Sequence, residues 1–110
     1  MERFVKGDVV VLPFPFSDLS ATKRRPALII ADLIGDDFIL CQITSIERKD
    51  GYSILLENKD FKQGKLDKPS SIKPNKLFSA DCSIISYKIG SLKENKIKEI
   101  EDSIIEIIKK

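Results

Sequence analysis

The sequence predicts a mainly β protein with some α: a small barrel or strongly curved sheet carrying one C-terminal helix. Three observations lead there. Short apolar runs recur between turn-forming Gly, Pro and Asp residues, the apolar period shifts to three- and four-residue steps near the C-terminus, and 110 residues with 42% hydrophobic content allow one core. A single domain over residues 1–110 follows. Many short strands in sequence favour closure or strong curvature over an open flat sheet.

The elements are read in order. Residues 9–14 form a valine-rich apolar run after Gly7 and Asp8, and Pro13 and Pro15 are expected to stop it, which describes a short buried strand. A polar loop over 15–25 follows. The runs 27–31 and 38–43 are joined through Gly35, Asp36 and Asp37, a hairpin signal. A fourth strand is expected at 52–56 after Asp50 and Gly51, and two more at 70–73 and 83–89. Ile97, Ile100, Ile104, Ile107 and Ile108 then recur at helical spacing with lysine and glutamate between them. Ser91 with Glu94 is a capping-box pattern, and a start at Lys93 is equally compatible. That isoleucine stripe reads as core packing of a helix against the sheet.

Charge is unevenly placed. The formal net charge is only +2, yet six lysines between 59 and 76 face only Asp60 and Asp67, and Lys23, Arg24 and Arg25 cluster before Pro26. The plainer reading of the lysine run is a solvated loop, and that of Arg24 and Arg25 a solvated loop edge. Against it, Pro26 fixes its own backbone and biases Arg25 toward an extended shape, which makes Arg25 a positioned cation. A guanidinium fork matches two phosphate oxygens at once.

Cys41 and Cys82 lie in apolar stretches without metal-ligand spacing and read as reduced, buried, structural thiols. The N-terminus has no signal-peptide pattern and no apolar run approaches a membrane span, so a cytoplasmic, soluble protein is expected. The chain contains no histidine, which removes His-based acid–base pairs and nucleophile arrangements. No dinucleotide fingerprint, phosphate-loop motif or carboxylate cluster for magnesium is present, so neither a cofactor nor a metal is expected.

One reaction needs little beyond arginine and hydroxyls: attack of an RNA 2′-hydroxyl on its own adjacent phosphate. The substrate supplies the nucleophile, and the protein orients it and stabilises the negative phosphorane. Arg25 suits the second task, and Thr44 and Ser45, at the end of the 38–43 run, can hold a phosphate or ribose oxygen if they lie near Arg25. Taken alone, Thr44 and Ser45 are ordinary strand-end residues.

The ordered set Gly7-Asp8, Pro13-Phe14-Pro15-Phe16 with Ser17-Asp18-Leu19, Arg24-Arg25-Pro26-Ala27-Leu28 and Gln42-Ile43-Thr44-Ser45 resembles the PemK/MazF family of toxin–antitoxin toxins. A weaker match covers 69–81, and Lys88-Ile89-Gly90 with the following helix fits the family ending. The resemblance implies an SH3-like barrel with a C-terminal helix and a homodimer. It further implies a metal-independent, ribosome-independent endoribonuclease that cuts single-stranded RNA at short sequences, leaving a 2′,3′-cyclic phosphate and a 5′-hydroxyl, and that a cognate antitoxin silences. Carried over, Arg25 and Thr44 take the catalytic roles. Lys23, Arg24, Ser45, Lys73, Asn75 and Lys76 become candidates for RNA binding, and Phe14 and Phe16 for base stacking.

The sequence departs from the family at Lys73, where some members have arginine, and at Asn75, where they have an acid. Asparagine cannot serve as a carboxylate base, so the general base is unassigned. Two other readings stay open: a toxin of similar fold that inhibits a protein target such as DNA gyrase, and a noncatalytic module that binds RNA or peptide.

Overall fold

The computed structural model describes residues 4–15, 22–45 and 51–110. Seven strands, β1 (Asp8–Pro15), β2 (Thr22–Asp32), β3 (Asp37–Thr44), β4 (Ile54–Leu56), β5 (Phe61–Gly64), β6 (Ser70–Asp81) and β7 (Tyr87–Leu92), precede one helix, α1 (Glu94–Ile108). All strand pairs are antiparallel, in the order β4-β6-β3-β2-β1-β7-β5, and the sheet curls into a half-barrel. No described helix is long and apolar enough to cross a membrane.

The central strands are apolar on both faces, which is why they read as continuous runs rather than as alternation. One face joins Val9, Leu28, Cys41, Ile43, Ile72 and Leu92 to Ile100 and Ile104 of α1. The other joins Val10, Leu12, Ile29, Phe38 and Leu40 to Ala80 and Ile85. The isoleucine stripe is core packing as expected, except that Ile108 is 70% exposed. Asp8 is buried among these residues because its work is local: it accepts the Val5 N–H at 2.9 Å and lies 3.4 Å from the Lys88 ammonium.

Several boundaries differ from the sequence reading. β1 does not stop at its prolines but runs to Pro15, and Pro13 pairs with Arg24. β7 accompanies β1 only from Asp8 to Val11, so Pro13 and Pro15 lie beyond that ladder and take no donor from it. β2 starts at Thr22, which places Lys23, Arg24 and Arg25 on a strand, although the part of the expected loop at 16–21 lies outside the described residues. The 27–31 and 38–43 runs do form the expected hairpin.

β6 continues well past residue 73, through a bulge. Gln42 pairs with Lys73 and Cys41 with Leu77, leaving residues 74–76 without partners on β3; Pro74, lacking an N–H, opens this bulge. β5 lies inside the run read as solvated loop. The 83–89 segment resolves into a short 3-10 turn, Cys82–Ile84, and β7. α1 begins after Lys93, whose carbonyl accepts the N–H groups of Lys96 and Ile97, while Ser91 is buried in β7, so no Ser91 capping box forms. Cys41 is buried and free, and desolvation pushes its thiol up to about 12. Cys82 is free but only half-buried, contrary to the expected burial, because it opens the 3-10 turn at the end of β6.

Candidate active site

The site originates in a ladder that ends early. β2 pairs with β3 only as far as Ala27 and Gln42, one residue short of Pro26, which has no N–H to donate. Beyond that point β2 stays with β1, as Arg25 pairs with Leu12 and Pro26 with Val11. β3 stays instead with β6, as Ile43 pairs with Ile72 and Thr44 with Ser71. The two strands part, and an open cleft of about 300 Å³ lies between them.

Lys23, Arg24, Arg25 and Pro26 form one wall, and Ile43, Thr44 and Ser45 the facing wall. Arg25 is half-buried while Lys23 and Arg24 are exposed. Thr44 is 8% exposed, and Ser45 is open to solvent. Four cations, Lys23, Arg24, Arg25 and Lys68, face one carboxylate, Asp67, so the lining is strongly positive although the chain is nearly neutral. Its volume is at the small end of ligand pockets.

The third wall, Leu66, Asp67, Lys68 and Ser70, was not anticipated. It is built from outside inward. The Asp60 carboxylate lies 3.6 Å from Lys96 of α1, and the Asp60 carbonyl accepts the Lys93 N–H at 2.9 Å, so the start of β5 is pinned to the helix. β5 then crosses β7 at Gly64 and Gly90, which touch backbone to backbone; a methyl on either would collide with a carbonyl oxygen of the other strand. Past this crossing, the Leu66 N–H donates to Asn58 Oδ1 at 3.1 Å and the Leu66 side chain packs on the core. The Ser70 hydroxyl donates to the Lys68 carbonyl at 3.2 Å. Of the lysine run, Lys68 alone reaches the cleft lining.

The structure thus brings together five of the eight sequence candidates: Arg25, Thr44, Lys23, Arg24 and Ser45. The other three are elsewhere. Lys73 is only 5% exposed, and its ammonium donates to Ser53 Oγ at 2.6 Å instead of lining the cleft. Asn75 and Lys76 are exposed on the β6 bulge. The side chain of Phe14 and all of Phe16 lie outside the described residues. Among the described residues, no group of three or more His, Cys, Asp or Glu is placed to hold a metal ion.

The fold is an antiparallel half-barrel with a cationic, hydroxyl-lined cleft where the sheet splits, and its relatives narrow the class. Crystallised MazF of Deinococcus radiodurans superposes with a TM-score of 0.78 over 100% of both chains at 16% identity. The Mycobacterium tuberculosis toxin MazF-mt6 gives 0.72 over 93% of this chain and 96% of its own, at 15% identity. A mycobacterial endoribonuclease in complex with its cognate antitoxin gives 0.76 over 96% and 95%, at 10% identity. These establish the fold. No curated protein matches the chain by sequence. Residues 5–108 match the family described as PemK-like, MazF-like toxin of type II toxin-antitoxin system, and the chain belongs to that family.

Proposed function

We propose that the chain is a single-domain endoribonuclease toxin that cuts single-stranded RNA at short sequences without a metal ion. The observation that carries this reading is the meeting of Arg25 and Thr44 across one positively charged cleft. A phosphate drawn into the cleft meets the Arg25 guanidinium, a two-pronged donor for its equatorial oxygens as charge accumulates on the phosphorane. The Thr44 hydroxyl holds a phosphate or ribose oxygen and helps set the in-line geometry. Lys23, Arg24 and Lys68 hold flanking phosphates. Attack by the 2′-oxygen leaves a 2′,3′-cyclic phosphate on one fragment and a 5′-hydroxyl on the other.

Membership of a toxin–antitoxin family supports neutralisation by a cognate antitoxin, homodimerisation and a cytoplasmic site of action. The test is incubation of the purified protein with a long single-stranded RNA in EDTA, with fragment ends mapped and their phosphates identified. Cuts at one recurrent motif, ending in cyclic phosphate, are expected. Intact RNA would overturn the reading and turn attention to a protein target such as DNA gyrase, or to binding without cleavage.

A further inference from the structure

Transesterification requires that the 2′-hydroxyl lose its proton, and a chain without histidine must supply another acceptor. We propose that Asp67 is that acceptor. This rests on the ribonuclease reading above and adds to it a residue that no sequence motif marks.

Three observations carry the assignment. Asp67 is the one carboxylate among the described residues that line the cleft, and it belongs to the wall that neither Arg25 nor Thr44 occupies. Asp67 lines the same cleft of about 300 Å³ as Arg25 and Thr44, a volume at the small end of ligand pockets. The backbone on either side of Asp67 is also anchored: Leu66 before it is tied to Asn58 Oδ1 and packed on the core, and Lys68 after it has its carbonyl bound by Ser70. Asn75, whose amide cannot take a proton as a carboxylate does, is exposed on the β6 bulge and outside the cleft lining.

The 2′-hydroxyl proton passes to an Asp67 carboxylate oxygen while the 2′-oxygen lone pair forms the new P–O bond. The P–O5′ bond breaks, the 5′-oxygen keeps its electron pair and takes a proton from water, and Asp67 later returns its proton to solvent. Among the described residues, the charged groups that line the cleft with Asp67 are Lys23, Arg24 and Arg25 of β2 and its neighbour Lys68; β3 contributes Ile43 and Thr44, and Ser45 follows it.

The test compares wild type, Asp67→Asn and Asp67→Glu on a cleavable RNA in EDTA, reading single-turnover rate at neutral pH and affinity for the same RNA with 2′-O-methyl groups. Asp67→Asn should cut at least about 100-fold more slowly and should bind as tightly or more tightly because a negative charge leaves a cationic cleft. Asp67→Glu should keep part of the rate. Thermal midpoints should be unchanged, since Asp67 is exposed. Wild-type rates in Asp67→Asn, or a loss traced entirely to weaker binding, would overturn the assignment while leaving the ribonuclease reading intact. Wild type that binds RNA and leaves it whole would overturn both.

Discussion

Replacing Arg24 with alanine should change the salt dependence of RNA binding by a calculable amount. Arg24 is exposed on the cleft wall, so its removal disturbs little packing and deletes one of four cleft cations. If each cation neutralises one phosphate of a single strand, the logarithm of the binding constant falls against the logarithm of salt with a slope of about −2.8. Between 50 and 200 mM salt, affinity should then drop about 50-fold for wild type and, with a slope of about −2.1, about 20-fold for Arg24→Ala. The assay is fluorescence anisotropy with a 2′-O-methyl oligonucleotide, which binds without being cut. Lys109→Ala, an exposed cation at the end of α1 and outside the cleft, is the control and should leave the slope unchanged. An unchanged slope in Arg24→Ala, or an equal reduction in Lys109→Ala, would refute the cleft as the place where RNA phosphates bind.

Two further expectations concern the scaffold. Gly90→Ala should destabilise the protein by about 2–3 kcal/mol, because its methyl meets the Gln63 carbonyl at the β5–β7 crossing, and should lower the thermal midpoint by roughly 10 °C. A midpoint equal to wild type would contradict that close packing. Cys41 gives a pH prediction with a definite sign: its folded thiol holds its proton to about 12, while the unfolded thiol releases it near 9.0. The stability it contributes is complete below pH 9 and declines as pH rises toward 12, because the unfolded chain then binds fewer protons. Denaturant midpoints measured from pH 8 upward should fall more steeply for wild type than for Cys41→Ala, and parallel curves would contradict the assignment.

The sequence made the core strands and the helix legible because their apolar residues meet others in the same pattern. Val9, Leu28 and Cys41 lie in uninterrupted runs, and Ile97, Ile100 and Ile104 repeat at helical spacing. β5 was hidden because only Phe61 is buried while residues 62–64 face solvent, so its pattern matches a lysine-rich loop. The far half of β6 was hidden by Pro74, which reads as a strand end but produces a bulge. At the site, Arg25 and Thr44 were legible through the family resemblance and the fixed backbone before Pro26. Lys73 lies away from the cleft because the first half of β6, residues 70–74, is buried on both faces and its ammonium reaches Ser53, a contact twenty residues away in sequence that no local pattern shows. The wall carrying Asp67 and Lys68 depends on contacts distant in sequence, Asp60 with Lys96 and Gly64 with Gly90, which no local pattern encodes.

Catalysis by Arg25 in the cleft where β2 and β3 separate is the central claim. Its most direct measurement is single-turnover cleavage of one RNA in EDTA by wild type and Arg25→Ala, with circular dichroism on both. The expected result is cyclic-phosphate product from wild type and a rate at least about 100-fold lower from Arg25→Ala at unchanged fold. Wild-type cleavage by a folded Arg25→Ala protein would contradict the central claim and move the chemistry out of this cleft.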